Sequence, residues 1–272
     1  MASIHPTAIV SKECEIGEGV QIGPWCVIEG AVRLGENVRL VGNCYLNGPL
    51  TVGARTVIYP FCALGFTPQH LKFKPGQVTA GVVIGQDVTL REHVTVHAAT
   101  HETVPTVVGD RNLLMVNAHL GHDARTGNDV VMVNNAALAG HSEVGDSVTL
   151  GGAALVHQFT RIGRMAFVGG AARAAADVPP FTAVVERSRL IGINLVGLRR
   201  AGIPRADITS VREAFRKAFR EQMTRPEMLQ TLNELGRECA MVAEMAAFVG
   251  ACHHRPISVG YDRQERDAGD IV

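Results

Sequence analysis

Along the first two thirds of the chain an aliphatic residue followed by glycine keeps returning. The pairs are Ile16-Gly17, Ile22-Gly23, Leu34-Gly35, Val52-Gly53, Leu64-Gly65, Ile84-Gly85, Val108-Gly109, Val144-Gly145, Leu150-Gly151 and Ile162-Gly163, with Thr126-Gly127 on the same beat. From Ile16 the intervals are 6, 12, 18, 12, 20, 24, 18, 18, 6 and 12, a multiple of six at every step but one. A period of six does not hold one face of a 3.6-residue helix. It is the repeat of a parallel β-helix, in which short strands make the flat sides of a prism and one aliphatic residue per hexapeptide points inward. Three hexapeptides close one coil, the interval of 18 in the series. Glycine after the inward residue is expected where a corner needs a backbone conformation that a Cβ hinders.

The frame predicts a mainly β protein: a β-helix over residues 1–186 and an α-helical part with a polar tail over residues 187–272. The one off-beat interval spans GFTPQHLKFKPGQVTA, which predicts an excursion from the prism near residues 66–80. A second, near residues 99–106, is expected inside the interval of 24. Loops thrown from a rigid scaffold are favoured places for substrate contacts. After Pro179-Pro180 the beat stops, and Ile208, Val211, Phe215, Ala218 and Phe219 follow helical spacing. Thr224 with Pro226 reads as a helix start ahead of Leu229, Leu232 and Leu235. The closing segment RPISVGYDRQERDAGDIV is polar and aperiodic, and loose order is expected of it.

Charge narrows the partners only locally. Lysine plus arginine and aspartate plus glutamate each total 26, so no overall field points to nucleic acid or to an anionic membrane. The N-terminus lacks a basic region followed by an apolar run, and about 18 uninterrupted apolar residues occur nowhere, so no integral membrane segment is expected and a cytoplasmic protein is. Between Arg187 and Arg220 nine basic residues face two acidic ones, and Arg212, Arg216 and Arg220 stand four apart on one helical stripe. Such a stripe is either a solvated face or a dock for an acidic carrier protein. Cys14, Cys26, Cys44 and Cys62 each stand two places before an aliphatic frame position, which reads as small core residues rather than ligands.

The stretch NAHLGHDARTGNDVVMVNNAALAGH sets histidines among small residues. His119, His122, His141 and His157 occupy neither inward class of the frame, so all should point outward or sit at corners. Counted from Thr126 on the 18-residue coil they fall at offsets 11, 14, 15 and 13. Neighbouring coils lie about 4.8 Å apart, so stacking gathers these rings along one edge. Catalysis by histidine needs a neutral imidazole and a partner that orients it. Asp123 follows His122 directly, but adjacent side chains on a strand diverge, so their pairing requires a corner. Two other readings stand beside this one: solvated histidines at turns, and a zinc site drawing on His97, His101, His119 and His122.

The run NLLMVNAHLGHD, with NNAALAGH, GGAALVHQF, DVPPF and INLVGLRRAG, resembles the UDP-N-acetylglucosamine O-acyltransferases that begin lipid A synthesis. The similarity runs from HPTAIV to about residue 250. It implies a homotrimer of left-handed β-helices with helical C-terminal parts and active sites between subunits. The implied reaction moves an R-3-hydroxyacyl chain from acyl carrier protein to the glucosamine 3-hydroxyl of UDP-N-acetylglucosamine, with no metal and no cofactor beyond the carrier's phosphopantetheine thioester. By the same resemblance His122 is the general base, Asp123 the carboxylate that orients it, and the Gly140 N–H a donor to the thioester oxyanion. His119, His141, His157 and Gln158 line the nucleotide-sugar and acyl pocket. Lys72 binds substrate, Asn194 and Arg200 contact the nucleotide or the phosphopantetheine end, and Gly170 is the position that limits acyl length.

Two positions depart from that pattern. His70 stands where many relatives carry aspartate near the reacting group, so acceptor recognition is open between a 3-hydroxy sugar and a 3-amino sugar. Val196 stands where relatives often have glutamate, which weakens inference about uridine contacts. A non-catalytic prism used as a binding module is the reading from another class; it predicts nucleotide-sugar binding without acyl transfer.

Overall fold

The computed structural model describes residues 1–74, 76–251 and 254–260. From Ser3 onward the chain winds through short strands that stack into three sheets of eleven, nine and eight strands. Partners lie one coil apart and run parallel, as in His119↔Ala137 and Leu155↔Arg173. Only the final pair, Thr182–Val185 with Arg189–Ile193, is antiparallel among the described strands. Two coils are longer than 18 residues. Thr51 pairs with Val83, 32 positions on, and Thr95 with His119, 24 positions on. The first excursion therefore adds fourteen residues, which breaks a beat of six, whereas the second adds six and leaves the beat intact.

Inside the prism, Ile22, Leu64, Ile84, Val108, Leu120 and Leu138 are buried, with Val20, Cys26, Cys44, Cys62, Ala118 and Ala136 as smaller fillers. Cys44 and Cys62 give their thiol protons to the interior carbonyls of Gly42 and Arg91 at 3.3 and 3.0 Å. Burial pushes the Cys62 thiol up to about 12, so it packs as a small apolar group and not as a nucleophile. Cys14, on the open first coil, is half-buried; Cys252 lies outside the described residues.

The frame glycines serve a different purpose from the one expected of them. Gly65 apart, none has a positive φ; the left-handed conformation is taken two residues later, by Asn37, Arg55, Asp87, Arg111, Asp129 and Ser147. What the frame glycines permit is contact between coils. A Cβ at Gly53 would lie 2.4 Å from the Gly85 carbonyl carbon, and one at Gly109 would lie 2.2 Å from the Gly127 oxygen. Stacking distance, not torsion, selects glycine there.

Four helices follow among the described residues: α1 Leu195–Arg200, α2 Arg205–Phe219, α3 Arg225–Leu235 and α4 Ala240–Gly250. α2 buries Ile208, Val211, Phe215 and Phe219, leaving Arg212, Arg216 and Arg220 exposed. α3 starts as its sequence suggests, with Pro226 in the first turn and the Thr224 N–H donating to the Glu227 carboxylate at 2.8 Å. None of the helices among the described residues is long and apolar enough to cross a membrane.

α4 is tied to the prism through charge. Arg161 donates to the Asp177 carboxylate at 2.9 Å and to the Phe248 carbonyl at 3.0 Å, with its guanidinium over the Phe248 ring. The Asp177 side chain is only 2 % exposed. Removing one partner of a buried pair leaves an uncompensated charge, so Asp177→Ala is expected to cost about 3–5 kcal/mol of folding stability, checked by denaturant unfolding.

Beyond α4 the chain returns to the β-helix. Ile257 bridges to Asp177, Val259 bridges to Arg189, and the Gly260 N–H donates to the Phe219 carbonyl at 2.7 Å. The expectation of loose order is thus corrected for residues 255–260: their polarity hid backbone pairing. Residues 261–272 of that tail lie outside the described residues.

Candidate active site

One corner of the prism carries the histidines. It is turned on successive coils by Asp123, His141 and Phe159, with φ of 60°, 57° and 61°. Aspartate tolerates this left-handed conformation better than most residues, because its short side chain bonds locally. The corner removes the obstacle expected of neighbours on a strand: His122 Nδ1 and Asp123 Oδ2 lie 2.8 Å apart. The carboxylate also accepts from the Thr100 N–H at 3.0 Å, the Thr100 hydroxyl at 2.7 Å and the His101 N–H at 3.3 Å. Thr100 and His101 come from the second excursion, and nothing in their local sequence marks them as partners of Asp123.

Burial of Asp123 opposes its ionisation, but hydrogen bonds from Thr100 and His122 outweigh it and hold the carboxyl below the usual carboxylate range. An ionised carboxylate can only accept, so in the neutral ring the His122 proton sits on Nδ1 and Nε2 keeps its lone pair. That nitrogen faces Gly140, where an added Cβ would stand 2.8 Å from it. The Gly140 N–H donates to no group among the described residues.

His122 is the second of several rings in a row. His70, from the first excursion, meets it edge-on at 5.3 Å, and His141 does so from the next coil at 5.2 Å. His141 stacks on Phe159 at 4.7 Å, and its Nε2 lies 3.6 Å from Asp123 Oδ2. Burial lowers the His141 pKa, with the Asp123 charge opposing in part. Lys72 is exposed, and its backbone N–H donates to His70 Nδ1 at 3.3 Å.

His119 stands one strand back, bonded through Nδ1 to the Thr95 hydroxyl at 2.7 Å and packed against His97 at 5.5 Å. Burial first, then the His97 charge, pushes its pKa down to about 4. An unfolded histidine takes up its proton near 6.5. Between those values the unfolded chain binds more protons than the folded one, so His119 makes stability fall as pH drops from about 6.5 toward 4. His119→Asn should flatten that stretch of a denaturant-midpoint profile against pH; an unchanged slope would remove His119 as its source.

A cavity of about 660 Å³ opens beside this corner, lined by His119, His122, Gly140, Leu155, His157 and Gln158. Gln69, Arg173 and Arg187 also line it, which the sequence motifs did not single out. Their signal was available only in part: Arg187 opens the basic run, and Arg173 pairs in register with Leu155 one coil earlier. His122, Asp123 and His141 hold ligand atoms within 4.8 Å of one another, close enough for a cation. Asp123, however, already accepts from three backbone or side-chain groups besides His122. The set also differs from the zinc quartet weighed from sequence, since His97 and His101 do not join it.

Three expected site residues lie elsewhere on the chain. Gly170 precedes the corner residue Ala171, at the opposite edge of the sheet that carries His119. Asn194 caps α1, accepting from the Gly197 N–H at 3.0 Å and donating to the Met165 carbonyl at 2.9 Å, on the third edge of the prism. Arg200 is exposed in the last turn of α1. A single chain does not bring these three to the histidine cavity.

A wall of six-residue repeats is the mark of the hexapeptide-repeat transferases, and the comparisons agree. A family model described as bacterial transferase hexapeptide matches residues 13–48, and one described as UDP-N-acetylglucosamine O-acyltransferase, domain 2, matches residues 177–257. The acyl-[acyl-carrier-protein]–UDP-N-acetylglucosamine O-acyltransferase of Thermodesulfovibrio yellowstonii is 40% identical over 247 residues, covering 90% of this chain and 94% of its own. That of Bartonella tribocorum is 46% identical over 248 residues, covering 90% and 91%. The crystal structure of the Francisella novicida UDP-N-acetylglucosamine acyltransferase superposes with a TM-score of 0.90 at 30% identity, covering 97% of this chain and 95% of that one. The chain belongs to the family of acyl-[acyl-carrier-protein]–UDP-N-acetylglucosamine O-acyltransferases.

Proposed function

We propose that this protein transfers an R-3-hydroxyacyl chain from acyl carrier protein to the glucosamine 3-hydroxyl of UDP-N-acetylglucosamine, the opening step of lipid A biosynthesis, in the cytoplasm. The observation that carries the reading is the His122–Asp123 contact of 2.8 Å, which leaves a basic Nε2 at a cavity large enough for a sugar. His122 takes the hydroxyl proton as the oxygen attacks the thioester carbonyl. The ionised Asp123 stabilises the imidazolium so formed. Negative charge on the former carbonyl oxygen meets the Gly140 N–H. Collapse of this adduct breaks the carbon–sulfur bond, and the imidazolium returns its proton to the departing phosphopantetheine thiolate. Protein groups supply every step, so the reading needs no metal.

His119, His141, His157, Gln158, His70 and Lys72 form the acceptor side in this reading. Asn194, Arg200 and the acyl-limiting Gly170 act from a neighbouring subunit. The separation of these groups onto different edges of the prism supports a homotrimer, because a second copy is then needed to complete the site. The three faces support it too. The sheet with Arg33, Arg125 and Glu143 outward is charged, whereas outward Leu113, Val131, Phe167, Ala137 and Leu155 give the other two an apolar character. The exposed Arg212, Arg216 and Arg220 stripe suits docking of an acidic carrier.

His70 favours a second reading, in which the acceptor carries a 3-amino group and the product is an amide. The His70 ring, with centroid 5.3 Å from that of His122, stands where the resemblance implies a carboxylate, so a negative charge is missing beside the reacting atom. Mass spectrometry of products from UDP-N-acetylglucosamine and its 3-amino analogue, with hydroxyacyl carriers of several lengths, tests both. An ester on the first substrate is the expected result. Amide formation alone selects the second reading, and binding with neither product leaves a non-catalytic module.

A further inference from the structure

The row of rings does not end at Phe159. Beyond it lies His254, whose ring is 5.6 Å away, so the row runs His70, His122, His141, Phe159, His254. Its two ends come from parts of the chain outside the repeats: the first excursion and the segment that returns after α4. The next residue, Arg255, reaches the wall of the cavity. Its Nη2–H donates to His157 Nδ1 at 2.6 Å and its Nε–H to the Gln158 carbonyl at 3.1 Å. We propose that Arg255 is a positioning residue for the acceptor site, holding His157 as the tautomer whose Nε2–H donates to the bound sugar nucleotide. This deepens the acyltransferase reading and rests on it.

The argument is one of donor and acceptor inventory. A guanidinium has five N–H donors and no acceptor, and it keeps its proton in proteins. A ring nitrogen 2.6 Å from it must present a lone pair, which assigns the ring proton of neutral His157 to Nε2. The Gln158 carbonyl also lies 3.3 Å from the same Nδ1, the geometry of the other tautomer. That carbonyl also accepts from Arg255 Nε–H, at the shorter distance, so the arginine donates to both groups at once. Without it the ring is free to give its Nδ1 proton to Gln158 and turn a lone pair toward the cavity, where a donor is needed.

Backbone pairing holds the segment that carries Arg255 in register. The Asp177 N–H donates to the Pro256 carbonyl and the Ser258 N–H to the Asp177 carbonyl, both at 2.8 Å, and the Ser258 hydroxyl donates to the Ala176 carbonyl at 3.3 Å. The buried Asp177 that anchors α4 through Arg161 thus also anchors the return segment.

The test is a double-mutant cycle on full-length protein, with binding of UDP-N-acetylglucosamine measured by calorimetry and steady-state rates against both substrates. Arg255→Met should weaken acceptor binding and raise its KM about tenfold, the effect of one charge-assisted hydrogen bond, while kcat and the donor KM hold within about twofold. In a His157→Asn background the same change should have no further effect. Arg255→Lys, which keeps a cationic donor, should recover most of the loss. Should Arg255→Met fail to assemble, Arg255→Gln carries the cycle, with a loss of about threefold that His157→Asn again abolishes. Unchanged acceptor binding, or an equal loss with and without His157, overturns the assignment. If the wild type binds the nucleotide sugar but transfers no acyl group, the acyltransferase reading falls while the binding cycle still decides the role of Arg255.

Discussion

Replacing His122 by alanine is expected to lower kcat by about 10²–10⁴-fold, the contribution of a positioned general base, with little change in fold or assembly. Stability should survive because the ring stands on the outer wall, outside the interior ladder of aliphatic residues. Asp123 is not orphaned by the change, since it keeps its donors from Thr100 and His101. Single-turnover acyl transfer, with circular dichroism and size-exclusion as controls, measures the effect. Turnover within tenfold of wild type would mean that another group takes the hydroxyl proton.

Gly140→Ala probes the same ring from the other side. The new methyl would meet His122 Cε1 at 2.6 Å and Nε2 at 2.8 Å, closer than real Cβ contacts come. The imidazole cannot simply slide away, for His70 and His141 flank it and Asp123 holds its Nδ1. Relief requires turning the ring out of line with the acceptor hydroxyl. A displacement of about 1 Å in a reacting group costs roughly 100-fold, and that is the loss of kcat expected. Alanine keeps the same backbone N–H, so a loss on this scale separates the missing side chain of Gly140 from the proposed role of its N–H as oxyanion donor. Gly250→Ala, at the end of α4 and away from the cavity, is the control: its Cβ would find nothing nearer than 3.8 Å, and activity should be unaffected. Equal activity in the two variants would show that the ring has room the geometry denies.

Much of the architecture follows from local pattern. The beat of six is written in residue type because each coil repeats the same steric problem. One aliphatic side chain fills the interior and one glycine lets the next coil approach, so the strand frame, the inward cysteines and the outward histidines can all be counted along the chain. Even the first excursion announces itself, since fourteen added residues break the period. The second adds six and is silent to the count.

The family motifs likewise carried His122, Asp123 and Gly140 as an expectation, but not the geometry that makes them a site. Whether Asp123 could meet His122 depended on a left-handed corner. The carboxylate's other donors, Thr100 and His101, come from an excursion with no periodic signature, and Arg255 approaches His157 from 98 residues away.

What the sequence by itself determined is the prism and the edge on which its imidazoles gather, because a repeating coil turns linear spacing directly into position. Tertiary structure alone decided how those imidazoles are oriented. The groups that set their protons arrive through non-repeating segments, whose paths are chosen by backbone pairing with distant coils and leave no period to read.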